Sequence, residues 1–255
     1  MKQIKKILVV LFKRLEIASA IAVRLTKFTG KAEQPIHPKH LVTSKLWFAK
    51  YLQKQDVVLD LGCGNGQNTL KASKFVKTAI GVDYDNSLLN VARKTAKTKN
   101  VDFKKLNLED KLPFKNNTYD KVIFLDVLEH LHKRNQVIWE IKRVLKKNGQ
   151  LFISVPNSGT SWKKLQREVG ICSFSDPDHK IEYSENQIRN LLKNNNLDVI
   201  SFKYGKYDTP LRPIYDLIGV FSLNLYKSIL ILRQKRSNQN PQEASGFEIV
   251  SANRK

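Results

Sequence analysis

The chain has few cysteines, few acidic residues and no long uncharged apolar run. Its two cysteines, Cys63 and Cys172 among 255 residues, are too few for a disulfide framework and lack the spacing of a metal site. We therefore predict a protein of the reducing cytoplasm. The longest apolar stretch, residues 214–232, contains Asp216 and Lys227. We therefore predict no helix that spans a bilayer.

The amino-terminal stretch begins with basic residues and a short apolar run at residues 7–12, as a signal peptide does. Lys13, Arg14 and Glu16 end this run after six residues. A signal peptide needs a longer apolar region, so we predict that the chain is not exported.

Positive charge dominates, with 45 Lys and Arg against 23 Asp and Glu and a formal net charge of +22. A charge of this size attracts anionic partners, and both nucleic acid and anionic lipid are candidates. The alternative is a solvated basic surface without a single partner, as the Lys-rich and Asn-rich composition of an AT-rich genome would produce.

Two segments outside the central region carry apolar residues at helical spacing beside Lys and Arg. The first stripe consists of Ile4, Leu8, Leu11, Leu15, Ala18, Ala22 and Leu25. The second consists of Ile214, Ile218, Phe221, Leu225, Ile229 and Leu232. We predict an amphipathic helical extension and linker at residues 1–52, with Pro35 and Pro38 in the linker, and a catalytic domain at 53–255 with a helical insertion at about 208–236.

Strand patterns alternate with helical patterns from residue 57 onwards. Short aliphatic and β-branched runs predict seven strands, at residues 57–61, 78–82, 101–104, 119–125, 151–155, 197–204 and 247–252. Helical patterns stand between them, most clearly at 133–147 and 185–194. This alternation predicts an open, doubly wound, mostly parallel α/β sheet with helices on both faces.

A glycine-rich loop, DLGCGNG at residues 60–66, follows the first strand, where a doubly wound sheet binds nucleotide-like ligands. Its spacing is G-x-G-x-G, whereas the dinucleotide fingerprint is G-x-G-x-x-G. Asp60 would repel a pyrophosphate, but it suits a ligand with an ammonium and a sulfonium group. Charge alone therefore favours S-adenosylmethionine over NAD.

Asp83 ends the second predicted strand, within GVDYD. A carboxylate in this position accepts hydrogen bonds from the two hydroxyls of a ribose. Its alternative role is to cap the next helix, which Asp85 or Asn86 fills better. We therefore predict that Asp83 binds a ribose.

Four segments have the order and spacing of one enzyme family. They are VLDLGCGNG, GVDYD, LEDKLPF with YDKVIFLDVLEH, and EIKRVLKKNGQLFISVPN. On these segments the sequence resembles class I methyltransferases, and among them the type-11 group, which includes quinone and small-molecule methylating enzymes. The resemblance runs from about residue 57 to 156. It implies a Rossmann-like fold and S-adenosyl-L-methionine as the cofactor.

The resemblance also implies the residues that contact the cofactor. They are Asp60, Gly62, Cys63, Gly64, Asp83, Tyr84, Asn107, Leu108 and Asp126. Asp60, Gly62 and Gly64 would hold the methionine part and Asp83 the ribose, while Asn107 and Leu108 would contact the adenine. The family usually has Asp where Asn107 stands, although an amide oxygen also accepts a hydrogen bond from the adenine amino group.

Residues 126–130, with the sequence DVLEH, end the fourth predicted strand and border both cofactor and acceptor in the family. His130 is a candidate general base, because imidazole titrates near neutral pH. Its alternative role is a helix-start histidine bonded to the backbone. Methyl transfer from a sulfonium is an in-line displacement that depends on positioning, so we predict no metal.

A polar loop at residues 173–184 precedes a predicted helix. Type-11 relatives often carry a histidine here, just before a Tyr-Ser or Phe-Thr pair. We therefore predict that His179 and Tyr183 act in catalysis and line the acceptor pocket. The alternative is that Ser184 simply caps the helix and His179 lies on the surface.

We predict a cytoplasmic S-adenosylmethionine-dependent methyltransferase that acts on a small-molecule, lipid, quinone or lipid-linked saccharide acceptor. Its two amphipathic segments would contact the inner surface of an anionic membrane; alternatively they pack on each other, on the domain or on a second subunit. Charge suggests an RNA methyltransferase instead, but residues 126–129 lack the N/D-P-P-Y/F element of base-amino methylation and no RNA-binding motif is appended. A scaffold that binds the cofactor without catalysis is the remaining alternative.

Overall fold

A computed structural model describes residues 2–32, 36–42 and 46–254. The chain divides into two compact units of three segments each. The helical unit comprises Met1–Ser44, Asn157–Ser175 and Tyr204–Gly246, and the sheet unit comprises Lys45–Pro156, Asp176–Lys203 and Phe247–Lys255. We keep the predicted division at residue 52 and the insertion at 208–236 as a proposal. Pro35, in the predicted linker, lies outside the described residues.

The predicted seven-stranded sheet with flanking helices is confirmed. Its strands are β1 (Val57–Leu61), β2 (Thr78–Asp83), β3 (Val101–Lys105), β4 (Tyr119–Leu125), β5 (Leu145–Pro156), β6 (Leu197–Tyr204) and β7 (Gly246–Asn253). They lie in the order β3-β2-β1-β4-β5-β7-β6, and the first five strands of that order pair in parallel. The central strands are aliphatic and almost fully buried, as expected for a parallel sheet with both faces covered.

The helices of the sheet unit alternate with its strands. They are α4 (Gln67–Ala72), α5 (Asn86–Thr95), α6 (Arg134–Val144) and α8 (Glu185–Asn194). The predicted helix at 133–147 ends three residues early, because Leu145 already pairs with Tyr119 on β4. The pairing then shifts, so that Gln150 lies opposite Lys121. Asn148 takes a φ of 60° in this irregular stretch.

The helical unit contains the two predicted amphipathic segments. Its helices are α1 (Lys2–Arg14), α2 (Glu16–Phe28), α3 (Pro38–Val42), α7 (Ser161–Glu168), α9 (Arg212–Phe221) and α10 (Leu223–Gln239). The amino-terminal stripe is split between two helices, because the chain turns at Leu15. Ala18 and Ala22 on α2 are buried, whereas Ile4 and Leu11 on α1 are 64% and 53% exposed.

The predicted insertion also forms two helices, and its apolar stripe faces outward in large part. Phe221, Leu225 and Leu232 are 72%, 53% and 65% exposed. The buried side of this pair combines apolar residues with polar groups. Asp216, which is fully buried, accepts a hydrogen bond from the Tyr226 hydroxyl at 2.8 Å. Within the described part of the chain, no helix is long and apolar enough to cross a membrane.

Candidate active site

The strand order predicts a ligand-binding crevice at one edge of the sheet, along the carboxyl ends of its strands. β1 pairs with β2 on one side and with β4 on the other, so the direction of strand order reverses at β1. Open α/β sheets bind ligands at such a switch point, outside the carboxyl ends of the strands. The loops that follow β1, β2 and β4 all begin at this edge, and they carry most of the predicted site residues.

The glycine loop after β1 needs glycine for two different reasons. Gly62 and Gly64 have φ values of 74° and 53°, a region that other residues rarely adopt. A Cβ on Gly62 would also lie 2.5 Å from a methyl carbon of Val127, just after β4. A Cβ on Gly64 would meet no atom within 4 Å. Gly62 thus lets two loops approach each other, and Gly64 borders open space.

Asp83 joins the loop after β1 to the loop after β2. Its Oδ2 accepts a hydrogen bond from the Gly64 amide at 2.8 Å, and its Oδ1 accepts one from the Asp85 amide at 2.9 Å. Asp85 caps α5 by accepting from the amides of Ser87 and Leu88. The capping role that was the alternative for Asp83 therefore belongs to its neighbour. Each Asp83 oxygen keeps a further lone pair for a ligand hydroxyl.

Asp60 is a buried acid at the end of β1, with 3% of its surface exposed. Its Oδ2 accepts a hydrogen bond of 2.5 Å from the Thr69 hydroxyl. Burial raises the pKa of Asp60 to about 7, the Thr69 hydrogen bond works against this rise, and the charge of Asp83 adds to it. The carboxyl group is therefore in a site that favours a cationic ligand group.

Cys63 and Tyr84 belong to the predicted set but differ in exposure. Cys63 is 9% exposed and its side chain packs with Leu89 and Phe103. Its amide donates to the Val82 carbonyl, and its carbonyl accepts from Gly66, so both backbone groups stabilise the loop itself. Tyr84 is 75% exposed.

The loop after β3 contains the residues predicted to contact adenine. Asn107 is exposed, and its side-chain oxygen accepts from the Glu109 amide at 3.1 Å, while Leu108 is 7% exposed. Glu109, which the sequence did not single out, accepts hydrogen bonds from the amides of His132 and Lys133. It thus connects this loop to the segment after His130, a long-range contact for which the sequence carries no signal.

Asp126 directly follows β4, has a φ of 56° and accepts a hydrogen bond from the Ser154 hydroxyl of β5 at 2.7 Å. The chain then forms a short 3-10 helix at Leu128–His130. Val127 packs against Gly62, so this turn lies directly beside the glycine loop. His130 therefore stands near the same edge of the sheet as Asp60 and Asp83.

His130 and His179 come together although 49 positions separate them in the chain. Their ring centroids are 4.7 Å apart and the ring planes are nearly perpendicular. His179 is 7% exposed at its side chain, so it is not a surface residue. Burial, together with the neighbouring His179 ring, lowers the pKa of His130. At neutral pH this favours the neutral imidazole, the form that accepts a proton.

Two glutamates complete this group, and the sequence prediction assigned a role to neither. Glu129 is 1% exposed and its Oε1 lies 3.9 Å from Nε2 of His179. Glu182 contacts the other ring nitrogen, with its Oε1 3.0 Å from Nδ1. The available signal was proximity in sequence, since Glu129 precedes His130 and Glu182 follows His179 by three residues.

Tyr183 is 4% exposed, and burial raises its pKa to about 12, with Arg134 and Glu129 acting on it in opposite directions. Its hydroxyl has no hydrogen-bond partner among the described residues. Ser184 caps α8 in a capping box with Gln187. Ser184 therefore caps the helix, as the alternative stated, while His179 and Tyr183 are nevertheless buried.

The predicted cofactor fits this edge of the sheet. Open space beside Gly64 adjoins the Asp83 carboxylate, and a second carboxylate stands at Asp60. The family model for a methyltransferase domain matches residues 59–153, the segment that contains the cofactor loop, β2 and the DVLEH turn. Residues 59–153 are a methyltransferase domain of the type-11 family. The cofactor that this family implies is S-adenosyl-L-methionine, as predicted.

Individual relatives of this methyltransferase domain agree with the family match. A protein of Encephalitozoon cuniculi named as a methyltransferase is 32% identical over 136 residues, which are 52% of this chain and 60% of the relative. A ubiquinone biosynthesis O-methyltransferase of Actinobacillus pleuropneumoniae is 32% identical over 108 residues, 39% of this chain and 45% of that protein. The chain thus spans less than two thirds of each of these curated relatives.

Solved structures agree on the fold of the methyltransferase domain. A methyltransferase from Methanosarcina mazei superposes with a TM-score of 0.54 at 20% sequence identity. The match covers 80% of this chain and 94% of that one. At this identity the likeness concerns the fold alone, and it supports the class I Rossmann-like architecture.

Proposed function

We propose that this chain transfers a methyl group from S-adenosyl-L-methionine to a hydroxyl-bearing small molecule of the quinone or lipid class. One observation carries the proposal. A glycine loop flanked by two buried carboxylates lies at the switch point of the sheet, and His130, which follows β4, contacts the buried side chain of His179. The name of the Actinobacillus pleuropneumoniae relative, an O-methyltransferase of ubiquinone biosynthesis, supports an oxygen acceptor.

The cofactor residues have distinct tasks in this proposal. S-adenosyl-L-methionine supplies a methyl group activated by a positively charged sulfur. Asp60 attracts the cationic amino-acid part and Asp83 accepts hydrogen bonds from the ribose hydroxyls. The loop residues Gly62, Cys63 and Gly64 let the backbone approach the methionine part of the cofactor. Tyr84, Asn107, Leu108 and Asp126 complete the predicted set, at the ribose, the adenine and the end of β4.

The acceptor residues are His130, His179 and Tyr183. In a methyl transfer to oxygen, the acceptor hydroxyl must lose its proton, and a neutral imidazole in a buried site is suited to take it. We assign this role to His130, whose pKa is lowered by burial. The Tyr183 hydroxyl, which is buried without a hydrogen-bond partner among the described residues, is suited to hold an acceptor oxygen.

Titration calorimetry tests the proposal at its first step. We expect micromolar binding of S-adenosylmethionine and S-adenosylhomocysteine and no binding of NAD. Asp83→Ala removes the carboxylate that accepts from the Gly64 amide and should abolish binding, while the exposed control Asp102→Ala should leave it unchanged. Cofactor binding without turnover on phenolic or lipid hydroxyls would favour the scaffold. Turnover on RNA that falls steeply with salt would favour the RNA methyltransferase.

We also propose that α1 contacts an anionic membrane, which would bring a lipid-like acceptor to the protein. α1 contains no acidic residue, and Ile4, Ile7 and Leu11 are each more than half exposed. Lys5 and Lys6 lie beside them. A helix of this composition lies in the headgroup region, where apolar burial and attraction to anionic lipid act together.

Vesicle sedimentation tests the membrane contact. The protein should bind phosphatidylcholine vesicles only when phosphatidylglycerol is added, and salt should weaken the binding. Ile7→Asn with Leu11→Asn should reduce binding at least about tenfold, since each buried aliphatic side chain contributes about 1.5–3 kcal/mol. Ile200→Asn, an exposed position on β6, should have no effect. Equal loss in both variants, or no binding by the unmodified protein, would refute the contact.

A further inference from the structure

Three side chains of the sheet unit converge on one point beside the acceptor histidines. Glu129, His130 and His179 each present one metal-binding atom, and these atoms all lie within 4.8 Å of one another. Glu129 and His179 are nearly fully buried, with side chains 1% and 7% exposed. Two imidazoles and one carboxylate are a common ligand set for divalent transition metals.

The spacing within this group suits a shared ion better than direct hydrogen bonds. Nε2 of His179 lies 3.9 Å from Oε1 of Glu129, which is too far for a hydrogen bond. Two ligand atoms bound to one ion at about 2.1 Å lie roughly 3–3.5 Å apart. The three ligand atoms lie within 4.8 Å of one another, so small side-chain movements would bring all three to binding distance.

A second group of contacts orients the two histidines. Oε1 of Glu182 lies 3.0 Å from Nδ1 of His179, and the Glu182 side chain is fully buried. This contact places a proton on Nδ1 and leaves the lone pair of Nε2 facing Glu129. His130 makes a hydrogen bond to the backbone of Asp178. Metal-binding histidines are typically held in this way, through the nitrogen that does not bind the metal.

The charge of the surroundings also favours a cation. Glu129 and Glu182 are buried beside His179, and the exposed Asp176 and Asp178 act electrostatically on His130. Buried carboxylates are costly unless a positive charge accompanies them, and a divalent ion supplies that charge.

We propose that Glu129, His130 and His179 bind a divalent transition-metal ion, with Glu182 as the positioning residue for His179. This replaces the expectation from sequence that the site has no metal. Three protein ligands leave coordination positions open for an acceptor oxygen, whose pKa the ion would lower. That use of the ion rests on the proposed methyl transfer to oxygen and would give the ion, rather than His130, the task of activating the hydroxyl. The binding of the ion depends neither on methyl transfer nor on which group activates the hydroxyl.

Titration of the whole chain, treated first with a chelator, with Mn²⁺ and Zn²⁺ tests the proposal. We expect one ion per chain at micromolar affinity, measured by calorimetry and, for Mn²⁺, by electron paramagnetic resonance. His130→Ala and His179→Ala should each weaken binding at least 100-fold. Glu182→Gln, which keeps all three ligands, should weaken it about 10–100-fold. His132→Ala changes an exposed histidine outside the group and should bind as the unmodified protein does.

Binding of S-adenosylhomocysteine, measured on each variant, separates a lost metal site from a lost fold. A variant that retains S-adenosylhomocysteine binding but loses Mn²⁺ binding supports the proposal. Absence of Mn²⁺ and Zn²⁺ binding up to millimolar concentration in the unmodified protein would overturn it, as would binding that His130→Ala and His179→Ala leave unchanged. Either result leaves the proposed methyl transfer standing if S-adenosylhomocysteine still binds.

Discussion

At the scale of single residues, we expect Asp60 to couple ligand binding to pH. Its pKa of about 7 means that the ligand-free protein holds a proton there below neutral pH, whereas a bound ammonium group favours the carboxylate. Binding of S-adenosylhomocysteine therefore releases a proton. We expect the affinity to rise about tenfold between pH 6 and pH 8, measured by calorimetry in buffers of different ionisation enthalpy.

Asp60→Asn is the control for this pH dependence. It keeps an oxygen that accepts from the Thr69 hydroxyl but cannot ionise, so we expect weaker binding and a flat profile. The pKa of Asp60 in the folded protein lies above its ordinary value of 3.8, so Asp60 also reduces the stability of the ligand-free protein as pH rises from about 4 to about 7. A flat affinity profile in the unmodified protein would contradict the assignment.

Gly62 and Gly64 offer a matched pair of substitutions in one loop. Both have a positive φ, so an alanine at either position costs about 1–2 kcal/mol of backbone strain. At Gly62 the new Cβ would also lie 2.5 Å from a carbon of Val127, whereas at Gly64 it would meet nothing within 4 Å. We expect Gly62→Ala to lower the free energy of unfolding by about 2–4 kcal/mol and Gly64→Ala by about 1 kcal/mol.

Urea denaturation of both glycine variants measures this difference. S-adenosylhomocysteine binding should decline in Gly64→Ala out of proportion to its stability, because its Cβ enters the space beside Asp83. An equal loss of stability in the two variants would show that the approach of Val127 is not what requires Gly62.

Which site residues the sequence could predict depends on how local their signal is. Asp60 and Asp83 stand in short motifs at strand ends, so their placement followed from the motif and the strand. Glu109 accepts hydrogen bonds from amides of another loop, a contact that exists only after folding, whereas Glu182 contacts His179, three residues earlier in its own loop. Glu129 was readable as part of DVLEH, but its orientation toward His179 depends on a loop 50 positions further along the chain.

At the scale of elements, a buried ion pair attaches α6 to the segment before β4. Glu140 is 2% exposed; it accepts from the Leu112 amide and pairs with Arg143 one turn later. Arg143 in turn donates to the carbonyls of Leu112 and Phe114. Removal of one partner leaves the other charge buried, so Glu140→Ala should lower the free energy of unfolding by about 3–5 kcal/mol.

Glu140→Gln is the matched control, since its amide oxygen still accepts from the Leu112 amide and its volume is unchanged. We expect a smaller loss, and thermal unfolding followed by circular dichroism compares the two. If alanine and glutamine variants unfold alike, the ion pair rather than the Leu112 contact carries the attachment.

Element prediction succeeded where periodicity and end signals agreed. The helix predicted at 185–194 and the strand predicted at 197–204 match α8 and β6, because Ser184 marks the start of the helix. At the α6–β5 junction, the sequence pattern places Leu145 equally well in a helix or in a strand. In the structure it belongs to the strand, because it pairs with Tyr119. In the amino-terminal segment a single stripe suggested one helix, and no sequence signal marked the turn at Leu15.

At the scale of the whole molecule, both units are built from three separated segments. The amino-terminal helices therefore complete a unit whose remaining parts lie beyond residue 156. Composition could not predict this arrangement, because which apolar face meets which depends on contacts across more than 100 positions. For example, Ser19 on α2 donates a hydrogen bond of 2.6 Å to Asp216 on α9.

Two nested deletions test how the helical unit depends on its first helices. α1 is largely exposed, and among residues 3–14 only Val9 is buried. α2 buries Ala18, Ala22 and Thr26, and its Ser19 donates a hydrogen bond to Asp216. Deletion of residues 2–14 should lower Tm by less than about 5 °C, equivalent to one or two kcal/mol. Deletion of residues 2–28 should lower it by more than about 10 °C or cause aggregation, because Asp216 and the face of α9 become exposed.

Calorimetry compares the Tm values of the two truncated proteins, and S-adenosylhomocysteine binding shows whether the sheet unit remains folded in each. Equal Tm losses would mean that α1, rather than α2, completes the helical unit, and the membrane role proposed for its apolar face would then have to give way to a structural one.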